Sequence, residues 1–352
     1  MSQSALRIKK ETVLLNSTEH EFEREGVLNP AILQDGDSLH LYYRAVRPGN
    51  FSTIGYCRLK GPLDIVERLD HPLIEPTESY ESHGLEDPRV VKVDDTIYIN
   101  YTGYDGQNAL GAICTGTDPT HFVKAGTSTP LVSHKTFVEY LSCIKKPLNG
   151  KYFQEYDLFR SMGGLSPTLL VWDKDTVMFP EKINGKFAML HRIWPGIQVV
   201  YFDSLDDLKK YPWEHYLTCL TDYIVMDPFY PHESSHIGAG CPPIKTPHGW
   251  LMIYHAVRET AHGKQYTAAA ALLDLVDPRI VIGRLRRPLF APDEAWERRG
   301  VVNNVVFPCG TSLFDDTLYI YYGAADQRIG VASISFSHLI EALLETPKIR
   351  TR

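Results

Sequence analysis

The chain has 352 residues, 43% hydrophobic and 22% charged, with 36 basic against 43 acidic side chains and a formal net charge of −7. This is an ordinary globular composition with enough apolar residues for a full core, and a mildly acidic chain without long runs of one sign excludes a basic nucleic-acid footprint. No apolar run reaches the ~18 residues that span a bilayer, so no membrane partner is expected. Residues 1–10 lack the apolar stretch of a signal peptide, and the six cysteines (57, 114, 143, 219, 241, 309) form no CxxC pair. The expectation is a cytoplasmic protein with isolated thiols and no zinc site.

In chain order, strand signals dominate. Residues 37–43 alternate apolar and polar after the turn Gln34-Asp35-Gly36. The same pattern returns at 95–101 after Asp94-Asp95, at 185–191 after Asn184-Gly185, at 248–254 after Pro247, and at 316–322 after Asp315. Each reads as a hairpin turn followed by a strand, and the strand before the turn is visible at 89–93 and 311–314. The copies start 58, 90, 63 and 68 residues apart, room for one four-stranded blade each. The expected fold is therefore all-β, a five-bladed β-propeller forming one catalytic domain over residues 1–352. A β-sandwich with unrelated hairpins is the plainer alternative. The wide interval points to an inserted segment near 130–165, including Gly163-Gly164, over one face as a lid or an oligomer contact. Ser204 is expected to cap a helix over 205–211, and Ser337 a short C-terminal helix over 338–345.

In a propeller, equivalent strand ends converge on one cavity. The residues after the five strand segments are Arg44, Thr102, Arg192, His255 and Gly323, followed a few steps on by Arg47, Asp105 and Asp326. Together they would ring a cavity carrying charge of both signs, suited to an anionic or polyhydroxyl ligand. Solvated charges on a rim are the bland alternative. In Gly84-Leu-Glu-Asp-Pro-Arg89 two carboxylates precede a strand. Pro88 favours an extended Asp87, and neighbours on an extended chain point opposite ways, so Glu86 and Asp87 are not expected to work as a pair. Lys182 and Arg192 flank one hairpin and are expected at one end of a blade. With His255 and Tyr266 from the next blade they would form a phosphate cradle.

These residues sit in a longer ordered series: Asn29-Pro30, Tyr43-Arg44-Ala45, Glu86-Asp87-Pro88-Arg89, Phe179-Pro180-Glu181-Lys182, His191-Arg192, Ile237-Gly-Ala-Gly240, Gly249-Trp-Leu-Met-Ile-Tyr-His255, Leu272-Leu-Asp274, Val306-Phe-Pro-Cys-Gly310 and Tyr321-Tyr-Gly-Ala-Ala-Asp326. The series resembles glycoside hydrolase family 130, the β-mannoside phosphorylases and related β-mannosidases. The resemblance implies a five-bladed propeller and an inverting reaction in which phosphate attacks a β-mannoside to release α-mannose 1-phosphate. It implies Asp87 as the single general acid, with Asn29, Arg44 and Asp326 as contacts to the mannosyl unit. Arg192, His255 and Tyr266, with Lys182, would be the phosphate site. The partners implied are a short manno-oligosaccharide and inorganic phosphate as co-substrate, with no metal and no other cofactor. The scheme is chemically coherent: phosphate is already anionic, so it needs cations to hold it in line and no base to activate it.

Three features depart from the family pattern. Ala256 follows Tyr254-His255 where the family has Gly, Lys174 is the nearest basic residue where an Arg is expected, and the segment 230–236 is unmatched. That segment holds Glu233, which with Glu181 is the candidate base of a hydrolytic variant. An exo-β-mannosidase on the same fold is therefore the second expectation, and a sugar-binding propeller without catalysis the third. The linkage, the acceptor, the chain length and a homo-oligomeric state are left open.

Overall fold

The computed structural model describes residues 6–154, 157 and 168–346, and its regular structure is predominantly β. The first strand, β1 (Lys9–Leu15), is an outer strand whose partner comes from the other end of the chain. Then follow four antiparallel meanders. The first is β2 (Gly26–Asp35), β3 (Ser38–Arg47), β4 (Phe51–Lys60) and β5 (Asp64–Arg68). The second is β6 (Gly84–Val93), β7 (Thr96–Tyr104), β8 (Ala109–Asp118) and β9 (His121–Thr127). The third is β10 (Asp173–Met178), β11 (Phe187–Ile193), β12 (Ile197–Phe202) and β13 (Ile224–Met226). The fourth begins with a strand in two pieces, β14 (His236–Ala239) and β15 (Ile244–Thr246), and continues through β16 (Gly249–Thr260), β17 (Gly263–Leu273) and β18 (Val281–Arg284). A last group, β19 (Val306–Phe314), β20 (Thr317–Ala324) and β21 (Arg328–Ser335), takes β1 as its fourth strand. Its outer edge is thus covered by the N-terminal strand rather than left open.

Each segment read from the sequence as a strand after a turn is the second strand of one group. The turns are two-residue hairpins: Asp35 pairs Ser38, Val93 pairs Thr96, Thr246 pairs Gly249, and Phe314 pairs Thr317. Gly36, Asp94, Asn184, Gly185 and Asp315 take the positive φ that such tight turns require.

The core lies between neighbouring groups. Tyr42, Tyr56, Ile99 and Cys114, for example, pack the first group on the second. The described part of the 130–165 insertion contains a helix, His134–Ser142, whose Phe137 and Leu141 are buried against Val91 and Ile113 of one group and Met178 and Met189 of the next. Gly163-Gly164 lie outside the described residues. Ser204 is the expected cap, accepting from the Asp207 N–H, but the helix is Leu205–Lys209, shorter than the expected 205–211. The C-terminal helix begins earlier than expected, at Phe336, and its cap is Ser335. Ser337 cannot serve because its N–H and hydroxyl both donate to Asp316, on the hairpin turn of the same group. All six cysteines are free thiols, and four of them (57, 114, 241, 309) are buried.

Candidate functional site

The site is built by one backbone device repeated around the inner strands. The pairing of β2 with β3 slips between Leu28 and Ala31, that of β6 with β7 between Glu86 and Arg89, and that of β10 with β11 between Lys174 and Val177. Pairing of β19 with β20 slips between Pro308 and Gly310, and β14 breaks from β15 at the corresponding place. Bulges of this kind re-aim side chains. Asn29, Asp87 and Asp175 occupy them with φ of 52°, 54° and 54°. Asn and Asp are the side chains that tolerate this left-handed region best.

The bulge corrects the expectation for Asp87. Asp87 is left-handed rather than extended, so both adjacent carboxylates turn toward the same guanidinium. Arg44 Nη2 lies 2.8 Å from Glu86 Oε1, and Arg44 Nη1 lies 3.7 Å from Asp87 Oδ1. Asn29 Nδ2 donates to Asp87 Oδ1 at 2.6 Å. Glu86 also accepts from Lys174 Nζ at 3.1 Å. Burial alone would raise the Glu86 carboxyl, but Arg44 and Lys174 outweigh it and hold it at about 2. Glu86 is therefore a fixed anion that orders two cations, and Asp87 is the carboxyl facing Asn29. Asp326 joins from the turn after β20. Its pKa is pushed up to about 6, first by burial and then by the nearby Asp87.

The basic residues come from the second strands. Arg44 pairs Leu28, Arg192 pairs Lys174, and His255 pairs Gly238, so all three stand beside the bulges as the repeat predicts. Asp175 sits among them, ion-paired to Arg192 Nε and 3.6 Å from His255 Nε2. Burial raises Asp175, yet Arg192, His255 and Arg89 hold it at about 2. His255 stacks on Phe307 with ring centres 4.4 Å apart and lies 6.3 Å from the Tyr266 ring. It is buried, and neither of its ring nitrogens has a hydrogen-bond partner among the described residues. Burial, helped by Arg192 and Arg89 against Asp175, lowers its pKa to about 3. His255 thus offers a neutral N–H, and the positive charge of this region belongs to Arg192, Arg89 and Lys174. Tyr266 is likewise held as a phenol, first of all by burial.

Lys182 does not belong here. It lies near the hairpin-turn end of β11, over the Phe187 ring and 3.6 Å from Asp94 on the turn between β6 and β7. Arg192 is at the opposite end of β11, so flanking one hairpin placed the two cations apart rather than together. Asp105 and Arg47 also stay outside: Asp105 closes its own turn by accepting from the Gln107 and Asn108 N–H groups, and Arg47 is exposed over Phe51.

Two residues that the sequence reading left without a role complete the geometry. Lys174 is one. The other is Arg89, fully buried, whose Nε donates to Gly240 O at 2.7 Å and Nη1 to Asp87 O at 2.5 Å, with Nη2 3.6 Å from Asp175. It ties three groups together beneath the site. The signal available for it was an arginine inside an apolar inner strand, which must find partners when buried.

Glu233, the candidate hydrolytic base, is held elsewhere. It accepts from the Phe229 and Tyr230 N–H groups and from the Tyr254 hydroxyl at 2.7 Å, and Arg284 lies 2.7 Å away. The same buried latch recurs as Glu23–Tyr43 (2.6 Å) with Arg68, Glu81–Tyr101 (2.6 Å) with Lys124, and Glu297–Tyr322 (2.6 Å) with Lys10. In the third group His191, bonded to Asp173 and to the Tyr216 hydroxyl at 2.7 Å each, takes the tyrosine's place. Each latched ring immediately precedes a rim residue: Arg44, Thr102, Arg192, His255 or Gly323. Glu181 is half exposed and ion-paired to Lys245. Among the described residues no three His, Cys, Asp or Glu side chains cluster as a metal set.

The bulged strand ends thus gather carboxylates beside an amide and an arginine, next to a basic and aromatic corner, an arrangement suited to a polyhydroxyl ligand and an anion. The chain belongs to glycoside hydrolase family 130: the family profile, described as beta-1,4-mannooligosaccharide phosphorylase, matches residues 6–345. It is 34% identical to a 1,2-beta-oligomannan phosphorylase of Thermoanaerobacter sp. (strain X514), covering 95% of this chain and 98% of that protein. It is 33% identical to a beta-1,2-mannobiose phosphorylase of the same organism over 93% and 96% of the two chains. Its fold matches the beta-1,2-mannobiose phosphorylase of Listeria innocua with a TM-score of 0.66, at 23% identity, covering 90% of this chain and 92% of that one.

Proposed function

We propose that this chain is an inverting β-mannoside phosphorylase, which transfers a mannosyl unit from a manno-oligosaccharide to inorganic phosphate. The observation that carries the reading is the division of the site. Asp87 stands with Asn29, Arg44 and Asp326, while Arg192, His255 and Tyr266 form a second corner, with Lys174 on Glu86 between the two. Asp87 donates its proton toward the leaving glycosidic oxygen, directly or through a sugar hydroxyl, as the bond from that oxygen to the anomeric carbon breaks. A phosphate oxygen held by Arg192 and Lys174 forms the new bond from the opposite face and gives α-mannose 1-phosphate. The neutral His255 imidazole and the Tyr266 phenol supply hydrogen bonds to the phosphate. The unpartnered nitrogens of His255 support this, because a buried imidazole without partners is destabilising unless a ligand satisfies it. Asn29, Arg44 and Asp326 hold the mannosyl hydroxyls. Lys174 takes the role first given to Lys182. Phosphorolysis is favoured over hydrolysis because Glu233 and Glu181 are both bound to structural cations.

The linkage we assign is β-1,2, supported by the two relatives that match nearly the whole chain. The five groups, with β1 closing the last, support a single five-bladed propeller over residues 1–352. We place the enzyme in the cytoplasm, where phosphate is available, and assign it no metal or organic cofactor.

The test is turnover of β-1,2- and β-1,4-mannobiose against phosphate concentration. Arg192→Ala is expected to abolish phosphate-dependent turnover, and Lys182→Ala to leave it within about twofold of wild type, as for surface changes generally. Full rate and phosphate dependence in Arg192→Ala contradict the assignment.

A further inference from the structure

We infer that a row of four rings at the mouth of the site, Phe51, His83, Tyr104 and Trp172, is a binding surface for sugar units beyond the linkage that is cleaved. The inference rests on the mannoside reading above and deepens it toward chain length. Phe51 opens β4, His83 precedes β6, Tyr104 ends β7 and Trp172 precedes β10, so all four stand at the strand ends that carry Arg44, Asp87 and Lys174. Phe51 and His83 are stacked with centres 5.2 Å apart. His83 meets Tyr104 edge-on at 6.1 Å, and Tyr104 meets Trp172 edge-on at 6.5 Å. His83 is exposed and the other three rings are partly exposed.

The row is continuous with the site. Lys174 Nζ, which binds Glu86, lies 5.6 Å from the Trp172 ring centre, and Arg47 lies 4.9 Å from the Phe51 ring at the other end. The seat for His83 is cut by Gly106, at φ +95°, where a Cβ would stand 2.8 Å from the imidazole. The Tyr104 hydroxyl donates to Gly106 O at 2.9 Å and the Trp172 indole N–H to Gln107 O at 3.0 Å, so two rings are anchored by their polar ends.

Rings held this way leave partly exposed apolar surface beside cations. A pyranose has the complementary shape, an apolar C–H face and a polar edge, and the row is longer than a single sugar ring needs. An oligomannoside leaving the cleavage site past Lys174 would run onto Trp172 first and Phe51 last.

The experiment compares kcat/KM for β-1,2-linked mannotetraose and mannobiose in wild type, His83→Ala and Phe51→Ala, two changes at the surface whose folding is checked by melting. The expected result is a fall of about tenfold in the tetraose-to-biose ratio, the size of a lost ring-stacking contact, carried by KM for the tetraose. A ratio within about twofold of wild type in both variants overturns the inference, since rings that only brace the loops affect both substrates alike. If wild type turns over neither substrate, the mannoside reading fails by itself. Calorimetric binding of mannotetraose then decides the row: weaker binding to His83→Ala upholds it, and equal binding or none overturns it.

Discussion

Gly323 lies so close to Asn29 that a Cβ on it would stand 2.0 Å from the Asn29 side-chain oxygen. Gly323 is the fifth member of the rim set, after Arg44, Thr102, Arg192 and His255, and its missing side chain is what lets Asn29 fold over and bond Asp87. Gly323→Ala is expected to fold and to lose about 10–100-fold in kcat/KM, the usual effect of shifting a catalytic contact by about an ångström. Steady-state kinetics on mannobiose read this out. Activity within about twofold of wild type would detach Asn29 from the reaction.

Asp326 makes a pH prediction. Its carboxyl ordinarily titrates near 3.8 and here at about 6, because of burial and Asp87. Between those values the folded protein holds a proton that the unfolded chain has released, so this group's contribution to stability falls as pH rises through the window and is flat above it. The loss is at most about 3 kcal/mol, at about 1.4 kcal/mol per unit. Asp326→Asn removes it, so the variant is expected to melt higher than wild type at pH 8 by a larger margin than at pH 4.5, while its kcat/KM falls. An equal margin at the two pH values would contradict this.

Glu233→Gln separates a structural latch from a base. Removing the charge leaves buried Arg284 without its carboxylate, a loss of about 3–5 kcal/mol for a broken buried pair. The melting temperature is expected to drop by several degrees, with phosphate-dependent turnover persisting in the protein that remains folded. Unchanged stability with vanished activity would instead make Glu233 a reacting group.

The sequence carried the repeat plainly. Five turn-plus-strand segments are periodic and local, and each became the second strand of its group, with Arg44, Arg192 and His255 in equivalent register. What it hid depends on non-local geometry. The bulge that turns Asp87 left-handed is set by pairing with β7, against the extended preference that Pro88 imposes on a free chain. Lys182 and Arg192 are near in sequence, yet a strand's length separates them. Glu233 looked like an unclaimed carboxylate because its partners, Tyr254 and Arg284, are 21 and 51 positions along the chain. Once Glu23, Glu81 and Glu297 are set beside it, the latch is recognisable as a motif: a glutamate 20 to 25 residues before a tyrosine that precedes a rim residue.

The most direct measurement of the central claim is a proton NMR time course of β-1,2-mannobiose with the enzyme, with and without phosphate. Phosphorolysis from the Arg192 corner opposite Asp87 predicts α-mannose 1-phosphate as the first product, formed only with phosphate and lost in Asp87→Asn. Free mannose appearing at the same rate without phosphate would contradict it.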